Sequence, residues 1–156
     1  MQQQQISFVQ ATARDVESFI ALQEQSTDRK LWGAVDDIEK GLREIAENTL
    51  LLLRADDETV GSVAYRIRPD GSVYISNVIV APSARGRGYA RSALSFILEV
   101  NKDAPRVDLV THPENERALR VYQSLGFAIE CCKDNYFGDG EPRLVLARTG
   151  SRTDAS

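Results

Sequence analysis

The apolar residues of this chain change period along its length, and the changes mark out the elements. Residues 6–9 open as a short strand. Thr12, Ala13, Arg14 and Asp15 read as the capped start of a helix, with Val16, Phe19, Ile20 and Gln23 along one side. Asp36 and Asp37 favour the start of a second helix through its dipole, and Ile38, Leu42 and Ile45 form its apolar stripe. Residues 50–54 and 59–67 flank an Asp56-Asp57 turn and predict a hairpin. Arg68, Pro69, Asp70 and Gly71 make a second turn into a strand over 73–80. Ala90, Ala93, Leu94, Ile97 and Leu98 then fall at helical spacing. Val107, Leu109 and Val110 mark a strand over 106–111, and a helix follows from Asn115. The chain closes on a hairpin through Gly138, Asp139, Gly140, Glu141 and Pro142 that returns along 143–147.

That order predicts an α+β fold: an antiparallel meander running into a parallel strand pair, in a mixed central sheet of six to seven strands with helices on both faces. At 156 residues, with no repeat and no internal linker, the chain reads as one domain with a real core. The domain is expected over 6–148, with a disordered N-terminus at 1–5 and a flexible tail at 149–156. Apolar residues at 42% and charged residues at 27% place it among globular proteins, with no run of membrane-spanning length. The polar start, Met1 followed by four glutamines, has neither the basic nor the apolar region of a secretory signal, so a cytoplasmic location is expected. A net charge of −4 argues against nucleic acid as a ligand and mildly favours a cationic one such as an amine. Cys131 and Cys132 are adjacent, which suits neither a mutual disulfide nor a metal site, and they are read as reduced strand residues.

The chemistry concentrates where the 73–80 strand hands over to the next helix. Val78, Ile79 and Val80 stop at Ala81-Pro82, and Arg85, Gly86, Arg87, Gly88, Tyr89 and Ala90 follow. The first turn of a helix has N–H groups without intrahelical partners and carries positive potential. Glycines there let an anion approach the backbone, and two arginines add charge, so the turn is a phosphate cradle. It lacks the lysine-serine end of a P-loop, and Arg91 stands where a dinucleotide fingerprint has its last glycine. Arg85-x-x-Gly88-x-Ala90 does resemble the R/Q-x-x-G-x-G/A turn of GCN5-related N-acetyltransferases. Asn115, Ala118, Tyr122, Gly126 and Phe127 resemble the N-x-x-A-x-x-x-Y-x-x-x-G-F signature of the same family.

The resemblance implies that acetyl-CoA is the acyl donor and that no metal takes part. Backbone groups of Val78, Ile79 and Val80 would pair with the pantetheine arm, and an N–H at Val80 would face the thioester carbonyl. Such a fixed donor is worth roughly 3 kcal/mol where negative charge develops. Arg85, Gly86, Arg87, Gly88, Tyr89 and Ala90 would hold the pyrophosphate. Asn115 is by type a helix cap, and the family reading adds a contact to the pantetheine arm. Tyr122 is on spacing a core tyrosine; the resemblance places its hydroxyl beside the coenzyme A sulfur, able to donate to the departing thiolate.

A neutral amine must attack the acetyl carbonyl in a ternary complex, so something must take the ammonium proton. Many relatives carry a glutamate on the strand before the glycine turn, whereas 74–78 offers only Ser76 and Asn77 as short polar residues. His112 is the first candidate base, with Glu24, Asp28 and Glu130 behind it. Trp32, either an acceptor lid or a packing anchor, joins Asn77 and Tyr136 as candidate acceptor contacts. The stretch 135–141 is similar to the tyrosine-bearing hairpin of ribosomal-protein and protein N-terminal acetyltransferases. The expected function is acetyl transfer to a primary amine, from a small amine or amino-acid derivative to a peptide N-terminus, in a monomer or homodimer. A catalytically inactive acetyl-CoA-binding module is the alternative of another class.

Overall fold

The computed structural model describes residues 6–25 and 37–149. Their elements run β1 (Ile6–Gln10), α1 (Val16–Glu24), α2 (Ile38–Glu47), β2 (Thr49–Ala55), β3 (Glu58–Ile67), β4 (Val73–Val80), α3 (Tyr89–Val100), β5 (Arg106–Thr111), α4 (Glu116–Ser124), β6 (Ala128–Lys133) and β7 (Arg143–Thr149). The seven strands form one mixed sheet in the order β1-β2-β3-β4-β5-β7-β6, antiparallel throughout except for β4 and β5. Trp32, Asp28 and Asp36 lie outside the described residues. Among the described residues, no helix is long and apolar enough to cross a membrane.

The four leucines 50–53 show why this sheet sits in the middle of the molecule. Side chains alternate along a strand, so an unbroken apolar run needs cover on both faces. Leu51 and Leu53 join the larger core with Val63, Ile75, Val107, Leu109 and Leu146, closed by Ala93, Leu94 and Ile97 of α3. Leu50 and Leu52 point the other way, into a smaller core with Phe19 of α1 and Ala64. A capping box closes the 3-10 turn Ala13–Asp15 that leads into α1. Thr12 accepts the Arg14 N–H, and Asp15 accepts the Thr12 N–H at 2.9 Å.

α2 departs from the expected apolar stripe. Ile38 and Leu42 are 51% and 37% exposed, and Ile45 alone of the three packs against the core. The helix is seated instead through Gly41, whose missing side chain admits Val16 and Ile20 of α1: a Cβ there would meet Val16 Cγ2 at 2.9 Å. Asp37 caps α2 by accepting the Lys40 N–H at 2.8 Å. Glu44, one turn beyond Gly41 on the same face of α2, reaches the sheet.

Two irregularities open the sheet at its centre. β4 and β5 pair only at Val73 with Val107 and Tyr74 with Asp108, and then diverge. Between β3 and β4 the register shifts: Ile75 opposes Tyr65 and Asn77 opposes Ala64, leaving Ser76 as the extra residue of a bulge. Cys131 and Cys132 are free and exposed on the edge strand β6.

Candidate active site

The divergence of β4 from β5 leaves a hollow between them. One wall is β4 from Tyr74 to Ile79, the other is Leu109, Val110 and Thr111 of β5, and Tyr122, Phe137 and Arg143 close it. The exposed backbone of β4 follows from ladder geometry. The Ala81 N–H donates to the Val60 carbonyl at 2.8 Å, and Ile79 opposes Ser62. Antiparallel pairing alternates, so Val78 and Val80 turn their backbone groups away from β3, toward the gap beside β5. Val78 and Ile79 line the hollow directly. Val80 lies beyond it, and its carbonyl accepts the Arg85 Nε–H at 3.3 Å.

Past Val80 the chain makes a short 3-10 turn, Pro82–Ala84, and enters α3 through the glycine turn. Gly86 and Gly88 have φ of 82° and 81°, a left-handed conformation that suits glycine, and a Cβ on either would meet nothing within 4 Å. Gly88 is the N-cap, and no side chain caps the helix. The Ser92 N–H donates to the Gly88 carbonyl at 3.0 Å, so the amide groups of the first turn lie ahead of the helical ladder. Burial lowers the pKa of Arg85, and the neighbouring Arg117 guanidinium on α4 adds to the effect. Open space, an uncapped helix start and two close cations fit a pyrophosphate. Arg117 was not among the sequence candidates because only the fold brings α4 beside this turn.

Asn115 caps α4 by accepting the Ala118 N–H at 3.3 Å. Its amide nitrogen makes no hydrogen bond among the described residues, so capping leaves two donors for a ligand. Tyr122 is buried, with its ring centroid 6.1 Å from that of Phe127, yet it lines the hollow. Its hydroxyl likewise has no partner among the described residues. Burial alone raises this phenol well above its ordinary range and keeps it a proton donor.

The acceptor side is built from three elements. Asn77 accepts the Ser62 hydroxyl at 2.5 Å and donates from Nδ2 to Gln23 Oε1 at 3.2 Å, which ties β4 to α1. The Gln23 Nε2 beyond it is buried and has no partner among the described residues. Tyr74 lies beneath the guanidinium groups of Arg66 and Arg68, 4.8 and 5.2 Å from its ring centroid. Burial, with Tyr136 nearby, pushes the Tyr74 phenol up to about 12 against the pull of Arg66. Tyr136 and Phe137 meet edge to face at 4.8 Å on the hairpin before β7, and both are exposed. Arg143, only 1% exposed, sits 5.0 Å from the Phe137 ring and donates to Asp139 and to the Pro142 carbonyl.

His112 is not placed as a base. It is 2% exposed, and both ring nitrogens are occupied. The Glu114 N–H donates to Nδ1 at 3.0 Å, so the proton sits on Nε2, which lies 2.7 Å from Glu141 Oε1. A second proton on the ring would meet the Glu114 N–H head on. Glu130 is bound on both oxygens by Arg106 at 2.7 Å and lies outside the hollow, and Glu24 is exposed at the end of α1. A carboxylate does reach β4 from α2: the Ser76 hydroxyl donates to Glu44 Oε2 at 2.6 Å.

Against known proteins, residues 16–127 match the profile of the acetyltransferase (GNAT) family, which is more than half of the chain. The chain belongs to the GNAT acetyltransferases. Solved GNAT structures share the whole fold. The ribosomal-protein-S18-alanine N-acetyltransferase of Escherichia coli superposes with a TM-score of 0.81, covering 97% of this chain and 98% of that one at 14% identity. A spermidine N-acetyltransferase chimera of Vibrio cholerae SpeG and hSSAT gives 0.77, covering 93% and 95% at 16% identity. The PaiA N-acetyltransferase of Thermoplasma acidophilum, solved with coenzyme A, gives 0.74, covering 93% and 99% at 17% identity. The UPF0157 protein YqkA of Bacillus subtilis is 27% identical over 74 residues, which span 47% of this GNAT chain and 21% of that protein.

Proposed function

We propose that this GNAT protein transfers the acetyl group of acetyl-CoA to a primary amine by direct attack in a ternary complex. The observation that carries the reading is the pairing of the hollow with its donor. β4 and β5 part beside an uncapped, glycine-bearing helix start, and the unpartnered hydroxyl of Tyr122 belongs to the same hollow. The bound thioester supplies an activated acetyl carbonyl. Val78 and Val80 present backbone groups along its arm, and the Val80 N–H meets the charge that develops on the carbonyl oxygen. Arg85, Gly86, Arg87, Gly88, Tyr89 and Ala90 hold the pyrophosphate, with Arg117 adding charge. Asn115 donates to the arm. Tyr122 donates its O–H to the departing sulfur; because full transfer to a thiolate is uphill for a phenol, the hydrogen bond is the main service.

The acceptor we favour is a small amine or amino-acid derivative, entering between Asn77 and the hairpin that carries Tyr136. A peptide N-terminus is the second reading, favoured by the exposed Tyr136 and Phe137 pair at the mouth of the hollow. The test is calorimetric titration with acetyl-CoA, desulfo-CoA and ATP, followed by thiol release with an amine and peptide panel. Saturable binding of the first two but not ATP, with amine-dependent thiol release, supports the reading. Binding without release to any amine identifies a binding module, and no binding removes the cradle.

A further inference from the structure

β4 has no carboxylate between Tyr74 and Val78, yet one stands beside it. The bulge leaves Ser76 unpaired opposite β3, and Ser76 lines the hollow. Its hydroxyl donates to Glu44 Oε2 at 2.6 Å, across a sequence separation of 32 residues. Glu44 is held there from both sides. Its helix is seated on α1 through Gly41, and the Asn48 side chain donates to the Glu44 carbonyl at 2.8 Å. Among the described residues, the charged and titratable groups facing Glu44 are Arg66 from β3, Tyr74 from β4 and Glu47 from its own helix. Burial raises the Glu44 pKa, opposed by the Ser76 hydrogen bond and Arg66 and reinforced by Glu47. A carboxylate raised in this way is a better proton acceptor near neutral pH than an ordinary one.

Resting on the acetyltransferase reading, we propose that Ser76 contacts the acceptor ammonium and relays its proton to Glu44, so that α2 supplies the base that β4 lacks. An N–H bond of the ammonium breaks as Ser76 Oγ takes the proton. The Ser76 O–H bond breaks as its own proton passes to Glu44 Oε2. The amine keeps the electron pair and attacks, Ser76 is a hydroxyl again, and Glu44 is a neutral acid. The second amine proton leaves with the coenzyme A thiol, and Glu44 returns its proton to water. Ser76 is the residue that touches substrate. Glu44 acts through it, as a positioning and proton-holding residue.

A purely structural tie between α2 and β4 predicts a loss that ignores the acceptor's charge; the relay predicts one that depends on it. The probes are ethylamine, an ammonium ion at pH 7, and 2,2,2-trifluoroethylamine, a free base there. With ethylamine, Glu44→Gln is expected to lower kcat/KM on the order of 100-fold, and Ser76→Ala at least about 10-fold, the usual range for a lost acid-base group. With trifluoroethylamine the same variants are expected to stay within about 3-fold of wild type, since no proton has to be removed first. The acid limb of the ethylamine kcat/KM profile should move in Glu44→Gln to the tenfold-per-pH-unit rise that follows the free amine in solution. Comparing two amines on one preparation removes any effect of partial unfolding. Equal losses with both amines, or no loss with either, overturn the relay. A wild-type protein that acetylates neither amine overturns the acetyltransferase reading itself, and the relay with it.

Discussion

His112 and Glu141 meet at 2.7 Å and so fasten the hairpin before β7 to the end of β5. The imidazole is buried and the carboxylate half-exposed, so the bond runs from the end of β5 out to solvent. Its tautomer is set by the Glu114 N–H, which donates to Nδ1. The pair therefore ties down the segment that carries Tyr136 and Phe137, and both ring nitrogens of His112 are engaged in doing so.

Removing that brace should loosen the acceptor side alone. His112→Ala is expected to cost about 2 to 3 kcal/mol in urea unfolding, from a lost buried ring and its hydrogen bonds. Acceptor KM should rise several-fold while acetyl-CoA affinity stays close to wild type, and the acid limb of kcat/KM should persist. Displacement of that limb to the free amine's own titration in His112→Ala would return the base role to His112.

Tyr122→Phe separates chemistry from packing. The hydroxyl has no partner among the described residues, so its removal should change stability by less than about 1 kcal/mol. Turnover should fall roughly 100-fold or more, with acetyl-CoA affinity unchanged. Because burial holds this phenol above its ordinary range, the wild-type rate should show no loss of the Tyr122 proton across pH 6 to about 10. Unchanged turnover in the variant would take Tyr122 out of the reaction.

At Gly88 the expected outcome is loss of the cradle. The site is open, so a side chain there meets no protein atom within 4 Å, but φ is 81°. Gly88→Ala should cost about 1 kcal/mol in stability through backbone strain. Gly88→Glu should add like charge and bulk where the pyrophosphate binds and weaken acetyl-CoA by on the order of 100-fold in calorimetric titration. Retained affinity would refute this placement of the pyrophosphate.

Asp108 makes the stability pH-dependent. Arg68 grips both its oxygens at 2.8 Å, and Arg106 adds a bond at 3.0 Å. Burial works to raise its pKa, but the hydrogen bonds from Arg68 and then Arg106 outweigh it and hold the carboxyl below its ordinary value. A lowered native pKa means stability that is fully present above the unfolded value of about 3.9 and is lost as pH falls through the native one. Asp108→Asn should lower stability by about 2 kcal/mol at pH 7, since Arg68 loses its carboxylate and Arg106 keeps only Glu130, and should flatten the urea midpoint below pH 4. A variant with the wild-type slope there would show that other carboxylates govern acid unfolding.

The strands and the glycine turn were readable because they rest on local physics. A leucine run needs two covered faces, Asp56-Asp57 and the 68–71 segment suit tight turns, and Gly86 and Gly88 mark a strand-to-helix turn without bulky side chains. The 106–111 strand, Asn115 as a helix cap and Tyr122 as a buried helix position were readable for the same reason, since spacing along one helix or strand decides them, whereas any contact of the two side chains with a ligand was implied only by the family resemblance. α2 was read correctly as a helix and wrongly as an apolar face, because Gly41 carries no hydrophobic signal and still lets two helices touch.

What tertiary structure alone decided is which distant polar groups meet. Glu44 reaches Ser76 because a helix seated on a glycine and a bulge in β4 face each other. Arg117 nears Arg85 because α4 packs beside the glycine turn, and His112 is spent on Glu141 because the last hairpin folds back over β5. A sequence states the period of each element, which fixes the face it buries. It does not state the relative placement of elements, and a hydrogen bond lasting over 2.6 Å or failing beyond 3.5 Å depends on that placement alone.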